Sequence, residues 1–336
     1  MSAVVLASTE GMSKEEWLAY RNLGIGGSDA SVVCGKNKYK SPLELWMEKK
    51  GLQPHKEAGE PAYWGTRLES VIREEFSLRT GIKVIPVRQI LRSKHYPFML
   101  ANLDGVCRCP THGNCVFEAK TANAFKSGDW DGDSVPPEYI LQLQHYLCVT
   151  GYNGAYIAVL IGGNEFRWKF VPRDEEIISM LIRYEQDFWM YVQDGVPIPV
   201  DGSDACGEFL SRQFPDSISK SIIRLPDIAA ALIDEYNEAG EQMDVYKGRK
   251  KKAENTLKQM LGEHEKGIIG DGYVKWSAVT QKKFNAALLE VEQPELHAQY
   301  KVESTYRRFT IKEPTKQTVL DESGVVAQQP TLRKAG

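Results

Sequence analysis

Two carboxylates and a lysine stand in a pattern that could hydrolyse a phosphodiester. Asp104 ends the run MLANLD, and after a Cys-, Gly- and Pro-rich stretch the run VFEAK carries Glu118 and Lys120. Residues i and i+2 of a β-strand share a face, so Glu118 and Lys120 point the same way. Carboxylate oxygens suit Mg²⁺, and a lysine beside them can orient a water and stabilise charge on a phosphate. A salt-bridged hairpin without chemistry has the same spacing, so the pattern alone leaves both interpretations open.

The composition is that of a globular protein without an overall positive field. The chain has 336 residues, 42% of them apolar, and a net charge of -3 at pH 7. Any contact with nucleic acid must therefore be local. No run reaches the roughly 18 apolar residues of a membrane helix, the N-terminus lacks the basic start of a secretory signal, and six cysteines form no obvious disulfide framework. These features predict a cytoplasmic protein.

Hydrophobic periodicity predicts the elements that position the three residues. Helical patterns come first, then patterns of period two, then a helix carrying Gln142, a hairpin and a last amphipathic helix. The helix over 64–80 carries Glu69 beside its apolar side. The predicted helices cover 13–22, 41–50, 64–80, 138–149 and 173–192, and the predicted strands 83–87, 91–92, 99–107, 115–120, 156–161 and 165–171. This order predicts an α/β fold with a mixed central β-sheet flanked by helices, which ends near residue 195.

The remaining third of the chain has a different pattern. We expect a long helix over 226–263 with a basic cluster at 247–252, a hairpin over 268–279 and a helix over 285–300. A boundary falls at the Pro-Ile-Pro stretch that begins at residue 197. The predicted domains are therefore 1–195, an extension over 196–315 packed on or beside it, and a disordered tail over 316–336.

Three other segments carry residues of functional interest. The turn GIGGSD before a predicted helix exposes backbone amides that suit an anion, although an ordinary helix start has the same pattern. Three cysteines and a histidine lie between Asp104 and Glu118 and could bind zinc, or could simply form a turn. Trp130 lies in the polar loop 127–134 and is a candidate to contact DNA. The zinc candidates are Cys107, Cys109, His112 and Cys115.

Taken in order, these motifs resemble one family, the YqaJ-type viral recombinases, relatives of lambda exonuclease within the PD-(D/E)xK nuclease superfamily. The resemblance covers roughly residues 13–195. One departure is Leu103, where the superfamily has a proline that carries no chemistry. The matching positions are Arg21 with the GGSD turn, Glu69, Asp104-Gly105, Glu118-Ala119-Lys120 and Gln142 in the run LQLQHY.

The resemblance implies a restriction-endonuclease-like core and a role for each matching residue. Asp104, Glu118 and the Ala119 carbonyl would bind the metal, and Lys120 would position or activate the attacking water. Glu69 would support a second metal or hold Lys120, and Gln142 would help orient the nucleophile. Arg21 and Ser28 would hold a phosphate near the 5′ end of DNA.

The resemblance also implies an activity, cofactors and partners. It implies a 5′-to-3′ exonuclease that uses two Mg²⁺ ions, or Mn²⁺, to degrade one strand of linear double-stranded DNA. The resulting 3′ overhang would pass to a single-strand annealing protein in phage-type recombination in a bacterial host. A homotrimeric ring would place basic groups around the DNA. Two alternatives stay open: an endonuclease of the same fold, and a catalytically silent DNA-binding or annealing protein.

Overall fold

The computed structural model describes residues 2–55 and 59–312, and the chain divides into two compact units. The first unit ends at Phe214 and the second begins at Pro215. The first unit thus extends past the predicted boundary at 195, because a further helix buries Phe209 against Leu45 and Trp46. The tail predicted over 316–336 lies outside the described residues.

The first unit alternates helices and strands. Its helices are α1 (Lys14–Arg21), α2 (Gly27–Val33), α3 (Pro42–Lys49), α4 (Glu60–Thr80), the 3₁₀ segment Ala124–Trp130, α5 (Pro137–Thr150), α6 (Glu175–Asp194) and α7 (Asp204–Gln213). Its strands are β1 (Ala3–Ser8), β2 (Ile25–Gly26), β3 (Val84–Ile85), β4 (Gln89–Ser93), β5 (Met99–Asn102), β6 (Gly105–Cys109), β7 (Gly113–Ala122), β8 (Gly154–Ile161) and β9 (Glu165–Pro172).

A five-stranded mixed sheet forms the centre of this unit. Its order is β3-β6-β7-β8-β9, with β7 and β8 parallel and the other pairs antiparallel. Helix α5 is the crossover between the parallel strands, as such a connection requires. The prediction of a mixed α/β fold with helices flanking the sheet is confirmed.

The two faces of β7 have different roles. Phe117 packs with Ile72 and Phe76 of α4, whereas Val116 packs with Leu143 of α5. Because side chains alternate along a strand, Glu118 and Lys120 share the face that α5 covers. The catalytic candidates thus lie at the α5 side of the sheet.

A second sheet has the order β1-β4-β5-β2. Its first strand, Ala3–Ser8, is not predicted from the sequence, because its residues are only partly buried and show no clear alternation. The short strand β2 runs parallel to β5, and the Ile25 N–H donates to the Phe98 carbonyl. This pairing places the glycine turn beside the end of the sheet.

The second unit contains α8 (Ile228–Leu261), a hairpin of β10 (Lys266–Ile269) and β11 (Gly272–Lys275), α9 (Ala286–Glu292) and α10 (Pro294–Tyr300). The long helix and the hairpin lie where the sequence predicts them. The single helix predicted over 285–300 is wrong, because Pro294 cannot continue a helix and starts a new one. Among the described residues, no helix is long and apolar enough to cross a membrane.

A buried ion cluster fixes α2 and α3 to each other. Asp29 is 2% exposed and accepts hydrogen bonds from Arg21 at 2.8 Å and from the Lys49 ammonium, also at 2.8 Å. Burial alone would raise the pKa of Asp29, but the charges of Arg21 and Lys49 hold that pKa well below its ordinary value. The carboxylate therefore stays ionised, and it neutralises a lysine side chain that is 0% exposed.

The Asp29→Asn substitution should destabilise the first unit by about 3–5 kcal/mol, because it leaves the buried Lys49 charge without a carboxylate. A depressed pKa stabilises the fold above the unfolded-state pKa of about 3.9, and this contribution is lost as the pH falls below it. Urea unfolding at several pH values should show the difference from the wild type shrinking below about pH 4. Lys49→Met added to Asp29→Asn should recover part of the loss, and a difference independent of pH would contradict the assignment.

Candidate active site

Asp104 joins the two strands that carry the candidate residues. It immediately precedes β6, and its Oδ2 accepts a hydrogen bond from the Ala119 N–H at 2.8 Å. The strand register pairs Gly105 with Phe117, so this bond continues the contact beyond the last paired residues. The structure therefore brings Asp104 to the same end of the sheet as Glu118.

Glu118 is a buried carboxylate with one oxygen in use. Its Oε1 accepts hydrogen bonds from Lys120 Nζ at 2.6 Å and from Gln142 Nε2 at 2.7 Å. Its Oε2 is buried and has no partner among the described residues. Burial, followed by the nearby Asp104 charge, raises the pKa of Glu118 to about 8, while Lys120 opposes the shift. A buried oxygen without a hydrogen bond lowers the stability of the fold unless another group, such as a cation, contacts that oxygen.

Lys120 and Gln142 hold each other in place. Lys120 Nζ donates to Gln142 Oε1 at 3.1 Å and lies 4.9 Å from the centre of the Tyr139 ring. Burial alone would lower the pKa of Lys120, but the carboxylates of Glu118 and Asp104 raise it above the ordinary value. The ammonium therefore stays charged, and its hydrogen bonds to Glu118 and Gln142 fix its position.

Gln142 has a support that the sequence prediction omitted. Its Nε2 also donates to the Tyr146 hydroxyl at 3.1 Å. The Tyr146 ring lies against Gly27, where a Cβ atom would approach the ring to 2.4 Å. Residues four apart share a helix face, so the spacing of Gln142 and Tyr146 was an available signal. The glycine turn is thus part of the packing behind the site.

Glu69 borders the same centre from α4. Its Oε1 accepts a hydrogen bond from Arg73 Nη1 at 3.2 Å, and the same Arg73 nitrogen donates to the Asp104 carbonyl at 3.3 Å. Burial and the Asp104 charge raise the pKa of Glu69 to about 7. Its hydrogen-bond partner is Arg73, the nearby Lys120 charge lowers its pKa, and a role of Glu69 in holding Lys120 stays a prediction. Support of a metal stays a prediction.

The residues fit a hard divalent cation. Burial raises the pKa values of Asp104 and Glu118, so the two carboxylates crowd a poorly solvated site. The unpartnered Glu118 Oε2 is an oxygen ligand of the kind Mg²⁺ prefers, and Mg²⁺ takes only one or two protein carboxylates besides water and phosphate. In residues 2–55 and 59–312 no three His, Cys, Asp or Glu side chains form a metal cage. The predicted ligand set has only two such side chains, Asp104 and Glu118, and takes its third oxygen from the Ala119 carbonyl.

Arg21 and Ser28, predicted to hold a phosphate, lie side by side. Arg21 Nη2 donates to Ser28 Oγ at 2.9 Å and to Asp29 Oδ1 at 2.8 Å. Helix α2 has only seven residues, and the Gly26 N–H at its start donates to Asp29 Oδ2. The cations at this turn are Arg21 and Lys49, both paired with Asp29 and both also stabilised by the buried Glu48 carboxylate, and of the two only Arg21 is partly exposed.

The zinc interpretation of the cysteine turn is not supported. Cys107 and Cys115 are paired residues of β6 and β7, and Cys109 Sγ accepts from the Tyr156 hydroxyl at 3.2 Å. The His112 ring instead stacks on Phe170, with 3.9 Å between ring centres. Within the described part of the chain no such cluster could hold a metal. The cysteines are buried in the sheet, and the turn itself is closed by a glycine.

The prediction that Trp130 contacts DNA is wrong. Trp130 is 2% exposed and stacks on Tyr139, with 5.7 Å between ring centres. The polar composition of the loop 127–134 gave no sign that Trp130 would be buried. In the 3₁₀ segment Ala124–Trp130, the exposed aromatic residue is instead Phe125.

Comparison with known proteins gives the family. The model of the YqaJ-like viral recombinase domain matches residues 16–153. The uncharacterized protein YqaJ of Bacillus subtilis (strain 168) is 39% identical over 315 residues, which cover 93% of this chain and 98% of that protein. The chain therefore belongs to the family of YqaJ-like viral recombinases, and the resemblance found in the sequence is confirmed.

More distant similarities exist to a viral protein and to two solved structures. The uncharacterized protein R354 of Acanthamoeba polyphaga mimivirus is 29% identical over 146 residues, 40% of this chain and 26% of that protein. The alkaline exonuclease LHK-Exo of Laribacter hongkongensis has 21% identity and a TM-score of 0.47 over 60% of this chain and 97% of its own. A phage related exonuclease from Haemophilus somnus 129PT has 12% identity and a TM-score of 0.37 over 53% and 99%.

The contact between Gly27 and Tyr146 can be tested by adding one methyl group. Gly27→Ala should destabilise the fold by about 1–3 kcal/mol, because the new Cβ displaces the ring. Gly26→Ala is the matched control, since its Cβ would meet its nearest neighbour at 3.7 Å, an ordinary contact. Urea unfolding of both variants measures the difference, and equal stabilities would contradict the packing described here.

Proposed function

We propose that this protein is a metal-dependent nuclease that degrades one strand of linear double-stranded DNA from the 5′ end. The observation that carries the proposal is the buried, unpartnered Glu118 Oε2 beside Asp104, next to a lysine fixed by Gln142. The buried His145–Glu185 pair also leaves one carboxylate oxygen without a partner among the residues that the structure describes. What distinguishes this site is the second carboxylate, Asp104, together with a glutamine that binds both Glu118 and Lys120. Membership of the YqaJ-like viral recombinase family supports the proposal.

Asp104, Glu118 and the Ala119 carbonyl would hold Mg²⁺, for which Mn²⁺ would substitute, with Glu69 supporting a second ion. A metal bound there would lower the pKa of a bound water molecule and would offset the negative charge of the phosphate. Lys120 would orient the attacking water and stabilise charge on the phosphate oxygen. Gln142 would hold Lys120 and Glu118 at a fixed separation, because it donates to one and accepts from the other.

The turn that carries Arg21 and Ser28 would bind the 5′ phosphate. The partly exposed Arg21 guanidinium lies beside Ser28, and both the guanidinium and the Ser28 hydroxyl can donate to a phosphate oxygen. Tyr146 connects this turn to Gln142, so the end of the strand and the cleaved bond would be held by one packed unit. This arrangement supports 5′-to-3′ polarity.

The proposed biology follows the family resemblance. The 3′ overhang would be passed to a single-strand annealing protein, and a homotrimeric ring would surround the DNA in the cytoplasm of a bacterial host. The net charge of -3 agrees with a protein whose basic groups are concentrated where the DNA passes.

Lys120→Ala and Glu118→Gln should each reduce degradation of linear duplex DNA at least about 100-fold, because each removes a group that acts on the reacting phosphate. Release of acid-soluble nucleotides in Mg²⁺, with EDTA as the metal-free control, measures the rate. Lys83→Ala removes an exposed lysine from the same unit and should leave the rate unchanged. Undiminished degradation by Lys120→Ala would refute the site, and rapid nicking of closed circular duplex would instead indicate an endonuclease.

Ser28→Ala should slow digestion of 5′-phosphorylated duplex about 10-fold while leaving 5′-hydroxyl duplex unaffected, because a hydrogen bond to a charged group is worth about 1.5–3 kcal/mol. This variant leaves the buried ion pairs of Asp29 intact, so folding should not change. The ratio of rates on the two substrates is the measurement. An equal effect on both substrates would show that Ser28 does not contact the 5′ phosphate.

A further inference from the structure

An aromatic side chain projects into solvent directly after the strand that carries Glu118 and Lys120. Phe125 belongs to the 3₁₀ segment Ala124–Trp130, which follows the end of β7 at Ala122. Phe125 is 98% exposed. None of the roles proposed above uses this residue.

Hydrogen bonds fix the backbone that presents Phe125. Asn123 Oδ1 accepts from the Phe125 N–H at 3.0 Å at the start of the segment. Arg167 of β9 donates to Ser127 Oγ at 3.0 Å and to Asp131 Oδ1 at 2.8 Å. These bonds fix the backbone on both sides of Phe125, whose ring lies in solvent.

The same segment is packed onto the candidate active site. Its last residue, Trp130, is buried and stacks on Tyr139. The Tyr139 ring in turn lies 4.9 Å from Lys120 Nζ. A continuous line of contacts thus runs from the lysine of the site to the base of the segment that carries Phe125.

Lys126, the residue after Phe125, contacts a second exposed ring. Lys126 Nζ donates to the Tyr39 hydroxyl at 3.3 Å and lies 5.8 Å from the centre of that ring. Tyr39 is 71% exposed. Its loop is also fixed, because Asn37 Oδ1 accepts from the Tyr39 N–H at 2.9 Å and Asn37 Nδ2 donates to Ser31. Lys126 therefore connects the exposed Tyr39 ring to the segment that carries the exposed Phe125 ring.

We propose that Phe125, Lys126 and Tyr39 form a platform on which unpaired DNA bases stack beside the scissile phosphate. Exposed rings bind bases of any sequence, since every base has a π-face, and an adjacent cation contacts the backbone phosphates. The inference rests on the proposed nuclease function and adds to it the way in which single-stranded DNA is held. A platform of this kind gives affinity without sequence preference.

The first test measures binding without cleavage. Full-length protein in Ca²⁺ is titrated into a single-stranded oligonucleotide that carries 2-aminopurine, whose fluorescence falls when the base stacks. Wild-type protein should quench the probe. Phe125→Ala should bind about 10-fold more weakly and lose the quenching, whereas Phe125→Trp should retain both. Tyr184→Ala, which removes a half-exposed ring of α6, is the matched control and should behave as wild type.

The second test separates this inference from the proposed function. With linear duplex in Mg²⁺, Phe125→Ala should raise KM more than it lowers kcat, because the platform binds DNA and does not touch the reacting atoms. If wild-type protein degrades DNA but Phe125→Ala matches it in quenching, affinity and KM, the platform is refuted and the nuclease function stands. If wild-type protein degrades no DNA, the nuclease function is refuted. If Phe125→Ala quenches the probe as strongly as wild-type protein does, the platform is also refuted. The exposed ring would then be available to a protein partner instead.

Discussion

The first unit is organised around one electrostatic constraint, the burial of the Glu118 carboxylate close to Asp104. Two carboxylates in a poorly solvated position repel each other, and burial itself disfavours their charged forms. Lys120 compensates from one side and Gln142 donates a hydrogen bond to the same Glu118 oxygen. The other oxygen keeps no partner among the described residues. This arrangement has a cost in stability that the surrounding packing must offset, and the proposed cation would reduce the repulsion.

Helix α5 carries most of that packing. One side of it presents Gln142 and Tyr146 to the site, while His145 is bonded at both ring nitrogens. His145 Nδ1 is 2.8 Å from Glu185 of α6, and Nε2 is 2.8 Å from the Leu100 carbonyl of β5. Both side chains of the His145–Glu185 pair are fully buried. The helix that supplies the glutamine is thus fixed to a neighbouring helix and to the second sheet, which limits how far Gln142 can move.

The sequence predicted those features that depend on local periodicity. Alternation in VFEAK placed Glu118 and Lys120 on one face, and the apolar patterns located α4, α5 and the β8–β9 hairpin. Features that depend on tertiary contacts were not predictable. The i,i+4 pairing of Glu69 with Arg73 was readable from the sequence, but the bond from Arg73 to the Asp104 carbonyl depends on how α4 packs on the sheet. Trp130 is buried although its neighbours are polar, because Tyr139 from the next helix offers it a stacking partner.

The distribution of the site along the chain has a consequence for folding. Asp104, Glu118, Lys120 and Gln142 all lie between residues 104 and 142, within a hairpin and the crossover helix that follows. Arg21 and Ser28 come from a distant part of the chain and meet this group through the packing of α2 on α5, which includes the Gly27–Tyr146 and Ala30–Leu141 contacts. Contacts of short sequence separation form early and need little loop-closure entropy. The carboxylate and lysine group therefore assembles as a local unit. The turn that carries Arg21 and Ser28 depends on contacts of much longer sequence separation, so partial unfolding that releases α2 would separate the proposed phosphate site from the proposed metal site.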